Sequence, residues 1–208
     1  MAKNAYIGID DVAKKIKKMY MGIDGVAKKI KKAYFGVDGV ARLIYQAIER
    51  VTHPTVALTA NESNGYVAEA STHNSTSYAA WKAFNKTNTD AYGWVSKEID
   101  NQKYIQLKMT EALKEIKVTI SNRVHDSYVN GIIAGTIYGS NDGSTWTSIC
   151  TITGRDGATS GYSNEYTCTN TDVAYQYVRV KATNWKNKGG DQSYVAVGEI
   201  SITGLREV

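Results

Sequence analysis

From about residue 57 onward, apolar and polar residues alternate in short runs separated by turn-forming residues. The runs are "YIQLKM" (104–109), "EIKVTIS" (115–121), "AGTIYGS" (134–140), "WTSICTI" (146–152), "EYTCT" (165–169), "YQYVRVKATNW" (175–185) and "VAVGEISITG" (195–204). Ile116, Val118 and Ile120 fall on one side of a period-two pattern and Lys117 and Thr119 on the other. That is the pattern of a strand buried on one face. Between two of the runs stands "YGSNDGSTW" (138–146). Asn141 and Asp142 can bond their own backbone and Gly143 accepts a positive φ, which makes this a hairpin connection. Strands spaced by such turns predict an all-β antiparallel sandwich or jelly roll over residues 57–208.

Residues 1–51 follow a different rule. One phrase is written three times at a period of 14 residues: "YIGIDDVAKKIKKM" (6–19), "YMGIDGVAKKIKKA" (20–33) and "YFGVDGVARLIYQA" (34–47). A short strand, an Asp-Gly turn, a second strand and a Lys-Lys turn fill one period and give a β-meander. Two heptads fill it too. Ile9, Val12, Ile16, Met19, Ile23, Val26, Ile30, Ala33, Val37, Val40 and Ile44 recur at alternating spacings of three and four, the seam of a coiled coil. Gly22, Gly25, Gly36 and Gly39 favour the meander. Each would destabilise a helix interior by about 0.8–1 kcal/mol relative to Ala, whereas the second glycine of each pair suits a type I′ turn. Asp11 replaces that glycine in the first repeat, so the coiled coil stays open as the alternative. Either form leaves an apolar side uncovered, which predicts self-association.

Charge separates the same two segments. Residues 1–51 carry 11 basic and 5 acidic side chains, while the remainder carries 14 and 15. The lysines at 14, 15, 17, 18, 28, 29, 31 and 32 read as a solvated face, and a nucleic-acid partner is not expected from basic density alone. The aromatic content is skewed to 15 Tyr and 4 Trp against 2 Phe, which suits either strands or a surface that binds a wet ligand. No apolar run approaches a membrane span, and the N-terminus lacks the apolar core of a signal peptide. Synthesis in a cytoplasm is therefore expected. Cys150 and Cys168 form neither a disulfide framework nor a zinc cluster; they could meet across strands, and free thiols are expected in a reducing compartment.

The repeat resembles a segment of bacteriophage virion proteins, in which "G-[IV]-D-G-V-A-[RK]-K-[IV]-K-K-[AM]-Y" recurs in tandem ahead of receptor-binding or fibre domains. The resemblance covers residues 5 to about 47 and implies the context of a virion structural protein. In that context the repeats are expected to anchor and oligomerise the protein as a homotrimer.

Residues 57–204 resemble the discoidin family, which includes the coagulation-factor type C domains and the galactose-binding-like carbohydrate modules. The resemblance rests on "AST" (70–72), "KAFNKTNTDAYGWVS" (82–96), "YIQLKMTEALKEIKVTIS" (104–121), "YGSNDGSTW" and "VAVGEISI" (195–202), in the family's order. It implies a galactose-binding-like jelly roll whose loops on one end bind a ligand, usually a glycan and in some members a lipid head group. The family's sugar pocket draws an Arg and an Asn from one loop, and "NRVHDSYVNG" (122–131) supplies Arg123 and Asn130, with His125 and Tyr128 between them. Sugar hydroxyls require fixed donors and acceptors, and the C–H face of the ring requires an aromatic plate. Trp185 and Tyr194, flanking "KNKGGDQS", are the expected plates, with His73 as a further wall.

Many relatives hold a structural calcium, and the resemblance implies Glu199 as its carboxylate ligand with Asn85, Asn88 and Thr89 nearby. Asn85 stands where the family has Asp and Lys86 where it has Gly, changes that weaken such a site. Without calcium, Glu199 is expected to bond loop amides.

The sequence contains no H-E-x-x-H, G-x-S-x-G, P-loop or dinucleotide motif. A binding protein is therefore expected, and not an enzyme: a virion adhesin for a bacterial surface polysaccharide or a mucus glycan. The alternative is a capsid or tail decoration or fibre protein that stabilises the particle without binding sugar.

Overall fold

A computed structural model describes residues 6–9, 12–16, 18–23, 25–37, 40–88, 93–97, 102–169, 172–186 and 193–208. The chain divides into two compact units, residues 1–50 with 205–208, and residues 51–204.

Each 14-residue repeat folds as one antiparallel hairpin. Strand β1 (Tyr6–Ile9) pairs with β2 (Val12–Lys15), β3 (Tyr20–Ile23) with β4 (Val26–Lys29), and β5 (Lys32–Val37) with β6 (Val40–Gln46). The last ladder pairs are Ile9 with Val12, Ile23 with Val26 and Val37 with Val40, and in the second hairpin Gly25 stands at φ +76°. That glycine supplies the left-handed backbone a two-residue turn requires. The coiled-coil alternative is not supported. Among the described residues, the first two hairpins pair within their own repeats, while Lys32 and Ala33, the last residues of the second repeat, extend β5 and pair with Gln46 and Tyr45 of the third.

The second unit is a jelly-roll sandwich. Its strands are β7 (Ile48–His53), β8 (Glu62–Ser63), β9 (Tyr66–Ala70), β10 (Trp94–Val95), β11 (Tyr104–Ser121), β12 (Gly131–Ser140), β13 (Thr147–Ile152), β14 (Ser163–Thr167), β15 (Tyr175–Lys186), β16 (Ala196–Val197) and β17 (Glu199–Glu207). The main sheet runs β13-β12-β15-β11-β17-β7, with β9 and β14 also paired to β11. Strand β11 organises the fold. Its first part pairs with β9 and β15, the ladder shifts register between Lys108 and Leu113, and its last part pairs with β14. One strand thereby serves two sets of neighbours, and its inward residues Ile105, Leu107, Met109, Leu113, Ile116, Val118 and Ile120 are all buried. Lys117 and Thr119 point the other way, as the alternation requires. Trp94, Phe84, Tyr66, Val178, Val180, Ile200 and Ile202 join the same core. Two short 3₁₀ turns, Thr76–Tyr78 and Ala80–Phe84, lead from β9 toward β10.

The hairpin between β12 and β13 is built from its own side chains. The Asp142 carboxylate accepts from the Ser144 and Thr145 amides at 2.8 and 2.7 Å and from the Ser140 hydroxyl at 3.0 Å. These bonds hold its pKa far below the usual carboxylate range. Asn141 ties the turn to the start of β15 through the Ala174 carbonyl and the Gln176 amide. Trp146 then stacks over the Arg179 guanidinium at 3.8 Å. The turn is structural.

No helix among the described residues is long and apolar enough to cross a membrane.

Candidate functional site

Strands β11 and β12 are joined by residues 122–130, and a buried arginine clamps the two ends of this loop. Arg155 donates to the carbonyls of Ile120 at 2.9 Å, Ile132 at 3.0 Å and Tyr162 at 3.2 Å, and also to the side-chain oxygen of Asn122. The Asn122 amide in turn reaches the carbonyls of Asp156 and Thr159, each at 2.9 Å. Gly131 packs so closely on this group that an added Cβ would lie 2.2 Å from Asn122 Oδ1 and 2.8 Å from the Gly157 carbonyl. A charge-assisted network of this density fixes the loop before any ligand arrives.

The clamped loop sets its side chains around a pocket of about 250 Å³ lined by Asn74, Tyr78, Val95, Arg123, His125, Tyr128, Asn130 and Tyr194. Arg123 is buried, and its Nε donates to the Tyr128 carbonyl at 2.7 Å, with Nη2 on the same oxygen. Its guanidinium lies 5.8 Å from the centre of the Tyr78 ring. Burial lowers its pKa and the Tyr78 phenol opposes the shift; an arginine stays cationic under such shifts.

Asn130 adopts φ +53°, a left-handed conformation that Asn tolerates better than other residues with a Cβ. Its carbonyl accepts from the Ala196 amide at 2.8 Å. Its side-chain Oδ1 is buried without a hydrogen-bond partner, an acceptor held at the pocket wall. Such a group is expected to find a donor in the functional complex.

His125 is held by its own loop. Its Nδ1 accepts from the Ser127 and Tyr128 amides at 3.1 and 3.0 Å, and its ring meets Tyr128 edge-on at 5.4 Å. Two donors on Nδ1 select the tautomer that carries its proton on Nε2. Burial, and then the nearby Arg123 charge, depress its pKa below the ordinary value, with Asp126 opposing.

The structure thus brings Arg123, His125, Asn130 and Tyr194 into one pocket. Two expected wall residues lie elsewhere. Trp185 pairs across β12 with Ile132 and packs against the core, with the Lys103 ammonium 5.0 Å from its ring centre. His73 is exposed and lines a separate depression with Glu69 and Tyr104, while its neighbour Asn74 takes the place at the pocket. Tyr78 supplies a wall the sequence reading did not assign. It sits five residues beyond His73 in the same Thr- and Ser-rich loop, where the 3₁₀ turn Thr76–Tyr78 places it.

Two of the expected cation ligands, Glu199 and Asn88, meet at another cavity of about 280 Å³, lined also by Pro54, Lys86 and Thr87. Glu199 Oε1 accepts from the Lys86 amide at 3.2 Å, while Oε2 is buried with no hydrogen-bond partner. Burial raises its carboxyl pKa to about 8. Asn88 donates from Nδ2 to the Asn122 carbonyl at 2.9 Å, and its Oδ1 is also buried without a hydrogen bond. Two stranded acceptors, one of them acidic, fit a hard cation. Asn85 does not join them, since its Oδ1 accepts from the Thr87 amide at 3.1 Å; Thr89 lies outside the described residues. Lys86 Nζ is bound to the Pro54 carbonyl at 3.1 Å, so a lysine's positive charge sits at this cavity.

A jelly-roll sandwich of this kind is the architecture of the discoidin-like modules. Residues 67–197 match the F5/8 type C domain, and the chain belongs to that family. No curated protein matches the sequence. Similar solved structures include the family 32 carbohydrate-binding module of Clostridium perfringens NanJ in complex with galactose, at TM-score 0.53 and 15% identity over 67% of this chain and 93% of that one. A second C. perfringens module, CBM32-3 from a family 31 glycoside hydrolase, gives TM-score 0.52 and 19% identity over 66% and 90%. A fucolectin from striped bass (Morone saxatilis) serum gives 0.53 and 16% over 69% of this chain and 47% of that one. At these identities the likeness speaks to the fold.

Proposed function

We propose that this chain is a non-catalytic glycan-binding adhesin, with its sugar site in the Arg123 pocket. The convergence of Arg123, His125 and Asn130 with the rings of Tyr78, Tyr128 and Tyr194 carries the reading. A fixed cation, an Nε2–H donor and an unpaired amide oxygen match the mixed hydroxyls of a pyranose, and the rings match its C–H face. The NanJ module is described with galactose and the bass protein as a fucolectin, so neutral hexoses of these types are the first ligands to test.

The wider role follows from the repeats. Their resemblance to tandem repeats of phage proteins supports a place in a virion, where the hairpins anchor and oligomerise the protein, as a homotrimer, and the sandwich displays the glycan site. One shallow sugar site binds weakly, and repetition on an oligomer raises avidity by a factor of about 10²–10⁴. A calcium ion held by Glu199, Asn88 and neighbouring loop oxygens would stabilise the sandwich, a reading supported by the two stranded acceptors.

The test is glycan-array screening and calorimetry on the full chain, with Arg123→Ala and Asn130→Gly compared to wild type. Glycine keeps the φ of +53° accessible at 130 while removing the amide, so lost binding with retained melting temperature assigns the site. Absence of any glycan signal from the wild-type protein would overturn adhesion and favour particle decoration.

A further inference from the structure

His125 is a wall of two depressions. Beyond the Arg123 pocket, a second one of about 390 Å³ is lined by His125, Asp126, Ala158, Thr159 and Ser160. We propose that this depression is a second sugar subsite, which takes a neutral residue glycosidically linked to the one in the Arg123 pocket. The inference rests on the proposed glycan function and extends it from a monosaccharide to at least a disaccharide.

The floor of this depression is preorganised. Asp156 Oδ1 accepts from the Ala158 and Thr159 amides at 2.8 and 3.1 Å, and Oδ2 accepts from the Thr159 hydroxyl at 2.5 Å. The turn is rooted next to buried Arg155, and the Gly157 carbonyl accepts from the Gly131 amide at 2.9 Å. Ser160 Oγ accepts from the His125 amide at 3.1 Å, which joins the two loops across the boundary between the depressions. The walls therefore hold their shape without ligand, and binding there forfeits little loop entropy.

The polar groups left over define the ligand. Ser160 Oγ has spent a lone pair on His125 and keeps its own proton to donate. Thr159 Oγ1 has donated to Asp156 and keeps its lone pairs. The Asp126 carboxylate is exposed, and no hydrogen bond or ion pair among the described residues engages it. A carboxylate beside one donor and one acceptor hydroxyl suits adjacent hydroxyls of a neutral pyranose. The same carboxylate repels a uronic or sialic acid placed there. Preference for a neutral second residue is thus built into the position of Asp126.

Calorimetry on the full chain tests this with methyl galactoside, methyl fucoside and N-acetylgalactosamine, with neutral disaccharides ending in each, and with matched disaccharides whose second residue is acidic. The expected result is a gain of about tenfold from monosaccharide to neutral disaccharide, and no gain for the acidic counterpart. Asp126→Ala and Ala158→Phe, the first removing the acceptor and the second filling the space, should return the disaccharide to monosaccharide affinity and leave the monosaccharide unchanged. Asp126 is on the surface, so its variant reports even where the larger side chain disturbs folding. Monosaccharide binding with no disaccharide gain overturns the subsite alone. Failure of every sugar to bind overturns both this inference and the glycan function beneath it.

Discussion

The Lys103 ammonium lies 5.0 Å from the centre of the Trp185 ring and donates to the carbonyls of Lys97 at 3.1 Å and Ser193 at 2.9 Å and to the Ser96 hydroxyl at 3.3 Å. The lysine is buried and joins two loops whose adjacent residues, Val95 and Tyr194, line the Arg123 pocket. Trp185 thereby bears on the pocket through Lys103 and the two loops it bridges. Replacing Lys103 by Met removes three hydrogen bonds and a cation–π contact from a buried side chain and should destabilise the protein by about 2–3 kcal/mol. Glycan affinity should fall with it, although Lys103 does not line the pocket. Trp185→Ala should lower melting temperature and affinity together. Thermal melts paired with calorimetry decide the matter: affinity lost at unchanged melting temperature would mean that the indole meets the sugar directly.

His125 predicts a pH profile. Its Nδ1 already accepts two backbone N–H groups, so a proton there would face two donors. The folded state favours the neutral ring, and burial and Arg123 lower its pKa. The stability gained is complete above the ordinary histidine value and is lost as pH falls through the depressed one. Binding should therefore stay level from pH 8 through about 6.5, the ordinary histidine midpoint, and decline only in more acidic buffer. Imidazole NMR shifts read alongside calorimetry would check this. A ring half-protonated at pH 6.5, or a binding decline centred there, would contradict it.

These two sites also show what the sequence makes legible. The sandwich follows from period-two runs because a one-residue slip would turn Ile116, Val118 and Ile120 out of the core. The Arg123–Asn130 loop is recognisable because both residues sit between two clear strands, and local chain geometry nearly suffices to bring them together. Tyr78 and Trp185 depend on longer-range packing. Tyr78 reaches the pocket from a segment some 45 residues before Arg123. Trp185 ends a strand whose pairing with Ile132 decides where the indole goes. Nothing local distinguishes an aromatic plate from an aromatic that packs over a lysine. The repeats are ambiguous for another reason: a 14-residue period satisfies both a hairpin and two heptads, and the glycines, which weaken a helix and at Gly25 meet a positive-φ demand, are what separate them.

The cation cavity gives a third prediction. Glu199 Oε2 and Asn88 Oδ1 are buried acceptors that no protein donor satisfies. Calcium at about 100 times its dissociation constant would stabilise the fold by about 2.7 kcal/mol, several degrees for a protein of this size. Melting in EDTA and in millimolar calcium measures the shift, and Glu199→Gln should abolish it. Lys86 is the natural competitor, so Lys86→Gly, which also relieves its φ of +60°, should enlarge the calcium response. An identical melting temperature in EDTA and calcium for both the wild type and Lys86→Gly would remove calcium from the account.

The repeat hairpins predict the assembly state. Large apolar side chains stand in solvent along them: Met21 is 53% exposed, Val26 59%, Tyr34 56% and Phe35 62%. By register Met21 sits opposite Lys28 and Ile23 opposite Val26, so one side of the second hairpin carries three apolar residues and a lysine. A two-stranded hairpin is marginal by itself in water, and covering an apolar side chain of this size is worth about 1.5–3 kcal/mol. The gain from closing such surfaces against other copies exceeds the repulsion of lysines that can extend their charge to the rim. Analytical ultracentrifugation of the full chain should therefore find an oligomer, with a trimer as the expected species. Met21→Glu combined with Phe35→Glu should dissociate it, leaving monosaccharide affinity per site unchanged while binding to a glycan-coated surface falls by about 10²-fold or more. A wild-type chain that sediments as a monomer at micromolar concentration would refute the assembly, and with it the avidity on which the adhesin role depends.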